Sequence, residues 1–254
     1  MTTVIVTDVD VVESGHGAWR RALGSADVPL VLWSSRTFSE VTRAQRRLGL
    51  DDAPFFVENG SALFLPRSVP RAMAMLAFDV GSHYLMEFGC ARAYAAGIVD
   101  GIAHACGLIV ARTAPSQPAE GRCYDDAIAG VAVPPAQRLR AGRVLRRAGL
   151  AWTMSAQGYH VNGVLDHGVG LGFVRWLYEQ RFDDAVTTVG IGTTLNHGAV
   201  LREVDVPVVV AGSDARTMRR LARARVDAIT IDPSALPMLI QHLTTRPSPG
   251  SLTH

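Results

Sequence analysis

The sequence predicts an α/β protein built on a doubly wound parallel sheet. Short, mainly apolar runs recur near both ends of the chain, and helix-like segments alternate with them. Such βα alternation buries a parallel sheet under helices on both faces. A middle stretch, 83–162, breaks that rhythm and reads as a separate α+β insertion.

The runs are Val4–Thr7, Leu30–Trp33, Phe55–Val57, Val186–Gly190, Val206–Val210 and Ala228–Ile231. They are short and largely apolar, which suits strands covered on both faces. The helical segments are Gly17–Leu23, Ser39–Leu48, Val169–Gln180 and Ala215–Arg225. Ser39 and Glu40 supply opening signals for the second, and Gly49 closes it. In the middle, Ala91–Cys106 and Arg138–Ala148 read as helices, and Leu108–Ala111, Ala127–Val133 and Ala151–Met154 as strands. The Pro- and Gly-containing link Ala114–Gly121 divides them. The expected organisation is a core of 1–82 and 163–254 around an insertion of 83–162.

With 254 residues, 48% of them hydrophobic, the chain can bury one large core or a core and a smaller domain. A net charge of +2, with scattered arginines, argues against a nucleic-acid partner. Cys90, Cys106 and Cys123 are odd in number and widely spaced, the pattern of incidental thiols. The chain enters a strand directly, and no apolar run is long enough to span a bilayer. A cytoplasmic protein without a membrane partner is expected. The polar tail Thr244–His254, rich in Pro and Gly, is expected to be disordered. All 25 basic residues are arginine; there is no lysine.

Several motifs stand in a fixed order. Asp8-Val9-Asp10 ends the first run; Ser34-Ser35-Arg36-Thr37 ends the second; Val57-Glu58-Asn59-Gly60 ends the third. Later come Gly158-Tyr159-His160-Val161, Asp166-His167-Gly168, Gly192-Thr193-Thr194-Leu195-Asn196-His197 and Val204-Asp205-Val206-Pro207. Taken singly, Asp-x-Asp reads as a capped turn, Ser-Ser-Arg-Thr as a helix cap, and each histidine as a hydrogen-bonded structural residue. In this order, across 4–66 and 158–212, they resemble the haloacid dehalogenase superfamily, and within it the mannosyl-3-phosphoglycerate phosphatase branch.

The resemblance implies that the insertion is a cap covering a pocket at the strand ends. It implies Asp8 as nucleophile and Asp10 as general acid/base. Ser34, with Ser35 and Arg36, would donate to a substrate anion, and Asn59 and His160 would face substrate. The sequence also departs from the pattern. Val11-Val12 replaces Gly-Thr, which implies a reshaped first loop. His167 stands where the superfamily has lysine. In the metal loop, ordinarily Gly-Asp-x-x-Asn-Asp, Thr193 and His197 replace the acids while Asn196 is retained. Mg²⁺, which favours hard oxygen ligands, is disfavoured by that set. Asp8 with His167 and His197 suits a transition metal, or proton transfer without one.

Three functions fit these residues. The first is a repurposed enzyme using Asp8 and Asp10, with His167 and His197, for acid/base or covalent chemistry on a small metabolite. The second is residual hydrolysis of a sugar or glycerate phosphate. The third is a noncatalytic ligand-binding or interaction module. Each implies a small-molecule partner, phosphorylated or sugar-like.

Overall fold

A computed structural model describes residues 2–15, 17, 19, 28–89, 92–106, 125–129, 135–155, 158–162, 167–193, 198, 200–212, 215–223 and 225–245. Its strands are β1 (Thr2–Asp8), β2 (Leu30–Trp33), β3 (Phe55–Val57), β4 (Ala62–Pro66), β5 (Phe78–Asp79), β6 (His83–Glu87), β7 (Asp125–Ala129), β8 (Ala151–Ser155), β9 (Gly158–Asn162), β10 (Val186–Gly192), β11 (Val206–Val210) and β12 (Ile229–Ile231). Its helices are α1 (Val9–Ser14), α2 (Phe38–Leu48), α3 (Arg92–Cys106), α4 (Pro135–Arg147), α5 (His167–Phe182), α6 (Ala215–Arg223) and α7 (Leu236–Thr245).

Among the described residues, nine strands form one sheet in the order β12-β11-β10-β1-β2-β3-β4-β6-β5. The members from β12 to β3 run parallel. β1 lies inside this block, and its alternate side chains feed two cores. Ile5 packs in a cluster with Leu32, Val189 and Val208 that is covered by Val41 and Ala44 of α2 and Ile240 of α7. Val4 and Val6 join the opposite cluster, covered by Leu171, Val174 and Leu177 of α5. This is the doubly wound α/β arrangement expected from the sequence.

The sheet departs from an all-parallel reading at one end, where β4, β6 and β5 are antiparallel. The reversal after β3 is made by Glu58, Asn59 and Gly60, with φ of 48°, 60° and 89°. Positive φ at consecutive residues folds the chain tightly back, and Gly and Asn tolerate it best. β6 pairs with β4 residue by residue from Ala62↔Glu87 to Pro66↔His83. The boundary drawn at 82/83 therefore falls inside the large sheet, because backbone pairing carries the chain through Glu87.

Beyond it, β7, β9 and β8 form a second, antiparallel sheet. With α3 and α4 they share a hydrophobic cluster of their own, including Val99, Ile102, Leu145 and Val161. Only positions 17 and 19 of the expected helix Gly17–Leu23 are described, both helical. The expected strand Leu108–Ala111, the link at 114–121, positions 130–133 of the expected strand Ala127–Val133, and the tail beyond 245 lie outside the described residues. No helix among the described residues is long and apolar enough to cross a membrane.

Asp205 ties α5, β10 and the approach to β11 together. Its Oδ2 accepts from the Thr188 N–H and hydroxyl, both at 2.8 Å, and from Arg175 Nη2 at 2.7 Å. Partial burial pushes this carboxyl upward, but the Thr188 and Arg175 donors outweigh it and hold the pKa below the ordinary value. A depressed folded-state pKa contributes stability above the unfolded value, and that contribution is lost as pH falls through the folded one. Asp205→Asn should therefore flatten the loss of stability below about pH 4, measured by urea titrations across acid pH. An unchanged acid limb would show that Asp205 carries no linkage.

Packing around β10 yields a second expectation. An added Cβ at Gly190 would lie 2.7 Å from Val204 Cγ2 and 3.1 Å from its Cγ1. Valine has no flexible end to swing away. Gly190→Ala should cost about 1–3 kcal/mol, read as a lower urea midpoint. A midpoint equal to wild type would show that this side of the sheet relaxes freely.

Candidate functional site

The buried strand β1 ends at Asp8, with β10 on one side and β2 on the other. The mouth above the carboxyl ends of parallel strands is where such sheets bind ligands. Asp8 is only 3% exposed. Its backbone leaves the strand in extended geometry, and its Oδ1 accepts the Asp10 N–H at 2.6 Å, capping α1. Aspartate is among the best residues for this because its carboxylate satisfies a helix-end donor. Val9, Val11 and Val12 then sink into the core beside Ile5. The Val11-Val12 substitution thus gives a short, anchored helix directly after the aspartate.

Asp10 takes another direction. Its exposed carboxylate pairs with Arg36 Nη2. The same nitrogen binds Glu13 at 2.6 Å, and Glu13 also pairs with Arg47 of α2. Partial burial pushes Glu13 upward, but Arg36 and Arg47 outweigh it and hold this carboxyl below its ordinary value. Burial likewise lowers Arg36, but Glu13 and Asp10 overcome that and raise it. Asp10 is expected from the resemblance to serve as acid/base, and Arg36 to serve an incoming anion; here each serves the other. Glu13, which organises the network, was missed. The available signal was its spacing of three from Asp10, which shares a helix face.

Ser34 follows β2 and is buried. Its N–H donates to Phe56 O at 3.1 Å, and its Oγ accepts the Arg36 N–H at 3.1 Å. The neighbouring turn clasps this loop: Asn59 N–H donates to Ser34 O and Glu58 N–H to Arg36 O, each at 2.9 Å. Asn59 is buried within that turn, and Ser35 is partly exposed beside it. α2 is capped by Thr37 rather than Ser39, with the Thr37 N–H and hydroxyl both donating to Glu40 Oε2 at 2.8 Å.

Thr193 follows β10 and is partly exposed. It lines a cleft of about 680 Å³ shared with Ser14, Ala211 and Ser234, residues the sequence reading did not single out. His167 is the first residue of α5. His160 lies on β9, the middle strand of the small sheet, opposite Ala127 and Thr153, and not on a sheet edge. Asn196 and His197 lie outside the described residues.

Among the described residues no three of His, Cys, Asp or Glu gather as a metal-ligand group. The donor chemistry explains this: Asp8 caps α1, the Asp10 carboxylate is drawn to Arg36, and Thr193 offers a neutral oxygen. Mg²⁺ demands several hard oxygens in near-octahedral array. The described set does not fit Mg²⁺ as it stands.

No family model matches the chain. Its sequence is nevertheless similar to a glucosyl-3-phosphoglycerate/mannosyl-3-phosphoglycerate phosphatase of Methanococcoides burtonii, 24% identical over 245 residues, covering 85% of this chain and 87% of the relative. A protein of the same description from Persephonella marina is 25% identical over 228 residues, covering 82% and 84%. Among solved structures, the sucrose-phosphatase of Synechocystis sp. PCC6803 has a TM-score of 0.64 at 12% identity, covering 95% of this chain and 98% of that one. A haloacid dehalogenase-like hydrolase from Bacteroides thetaiotaomicron has a TM-score of 0.61 at 12% identity, covering 96% and 100%. With its buried aspartate at the end of a parallel strand, this chain has the haloacid dehalogenase-like α/β fold, and its relatives in sequence and structure include sugar-phosphate phosphatases.

Proposed function

We propose that this protein acts on a phosphomonoester of a sugar-like small molecule, with glucosyl- or mannosyl-3-phosphoglycerate the substrate class to test first. The observation that carries this reading is the buried carboxylate of Asp8 at the end of β1, beside the Ser34 loop of β2. Asp8 attacks phosphorus through the oxygen it does not commit to capping, and the Ser34 hydroxyl donates to a phosphoryl oxygen. Asp10 swings from Arg36, takes up a proton from solvent and passes it to the leaving oxygen as that oxygen's bond to phosphorus breaks; it then takes a proton from the water that hydrolyses the aspartyl phosphate, while Arg36 exchanges that carboxylate for the substrate anion. The segment containing β7, β8 and β9 serves as the cap. The relatives favour this phosphomonoesterase over the repurposed acid/base enzyme also considered from the sequence.

A second reading, ligand binding with little turnover, is favoured by the pairing of Asp10 with Arg36 and by a donor set that does not fit Mg²⁺. Phosphoryl transfer relies on neutralising charge, and a site short of acids and lysine supplies less of it.

Asp8→Asn separates the aspartate's two roles, because asparagine caps a helix about as well as aspartate but is no nucleophile. Phosphate release from mannosyl-3-phosphoglycerate should fall by at least about 100-fold while circular dichroism and thermal melting stay close to wild type. Full activity in this variant would place the chemistry elsewhere.

Thr193→Asp combined with His197→Asp restores two carboxylates to the sequence segment that follows β10. Calorimetry should show Mg²⁺ binding at least about ten-fold tighter, with a smaller gain in kcat because His167 and Val11-Val12 remain. Full phosphatase turnover from these two changes would mean that the other departures matter little.

A further inference from the structure

The cleft beside Thr193 lies at the carboxyl ends of β10 and β11, next to the candidate site. Val11 and Ser14 of α1 form one wall, Thr193 and Ala211 stand at the strand ends, and Ser234 and Leu236 close the other side. At about 680 Å³ it is far larger than a phosphate requires and falls within the ordinary range for small organic ligands.

Its chemistry is selective. No charged side chain lines it among the described residues, so it suits a neutral moiety rather than a carboxylate or phosphate. Ala211 and Pro233 offer exposed apolar surface, as the C–H faces of a sugar ring require. The serine hydroxyls have already committed their protons: Ser14 Oγ donates to Val11 O at 3.0 Å, and Ser234 Oγ to Asp232 Oδ1 at 2.6 Å. Each retains lone pairs, so the cleft presents acceptors to ligand hydroxyls. Gly15, also in the wall, has no side chain to fill the space beside the buried Trp19, whose Nε1 would lie 3.3 Å from a Cβ there. That indole N–H is buried and has no hydrogen-bond partner among the described residues.

The cleft also lies within reach of Asp8. α1, which Asp8 caps with its first turn, walls the cleft with its last. Six helical residues span about 9 Å, and neighbouring strands are about 4.8 Å apart. A phosphoryl group at Asp8 and a ring in the cleft are therefore separated by the length of one small glycoside.

We propose that this cleft of the core domain is a subsite for the neutral, polyhydroxylated part of the substrate. The proposal rests on the phosphomonoester reading for the identity of the whole ligand, but not for the binding of the sugar part alone. The test titrates wild type, Ala211→Trp and Ser234→Ala with two probes, phosphate-free glucosylglycerate and inorganic phosphate. Ala211 is exposed at the cleft, so tryptophan fills the space without entering the core. Ala211→Trp should weaken glucosylglycerate at least about ten-fold, and Ser234→Ala about three- to five-fold, with phosphate affinity unchanged in both. Equal glucosylglycerate affinity in all three proteins, or none in wild type at millimolar concentration, overturns the subsite. Wild type that binds glucosylglycerate in this variant-sensitive way but not phosphate upholds the subsite and overturns the phosphomonoester reading.

Discussion

Everything at this site hangs on the hydrogen bond from the Asp10 N–H to Asp8 Oδ1. It ends β1, starts α1 and holds a carboxylate where water scarcely reaches. A cap of this kind contributes about 1 kcal/mol, while the burial of Val9, Val11 and Val12 keeps the helix in place once started. On the proposed function the same residue performs a structural and a chemical task. The two are compatible because capping occupies one oxygen and leaves the geometry of the other fixed.

The neighbouring acid is arranged differently. Asp10, with 64% of its side chain exposed, belongs to a chain of charges running through Arg36 and Glu13 to Arg47. Exposed pairs are worth about 0–1 kcal/mol, so exchanging Asp10 for a substrate anion on Arg36 requires little energy. The carboxylate in the capping bond is held at the end of a buried strand, and the one in the ion pair sits at the surface. That division suits an attacking group that must not move and a proton donor that must.

Much of the fold was legible because parallel strands covered on both faces show themselves as unbroken apolar runs. Leu30–Trp33, Phe55–Val57 and Val206–Val210 coincide with observed strands for that reason. α1 was not legible, since Val11-Val12 read as a reshaped loop after the first run; only the capping bond reveals the turn into a helix. β4 is buried along its whole length and was hidden inside a motif, and β5 and β6 carry too little periodicity to stand out. The placement of Asp8 and Ser34 at strand ends was legible because each closes an apolar run. The partnership of Arg36 with Asp10 was not, since it depends on a helix the sequence did not announce. The cleft draws its walls from α1 and the loops after β10, β11 and β12, residues that share no local pattern.

The central claim is that Asp8 and Ser34 together receive a phosphoryl group. A crystal structure of the protein soaked with tungstate, an anomalous mimic of phosphate, tests this directly. The account predicts the anion between the Asp8 carboxylate and Ser34 Oγ, with Arg36 turned away from Asp10 toward it. An anion bound elsewhere while the Asp10–Arg36 pair stays intact would contradict it.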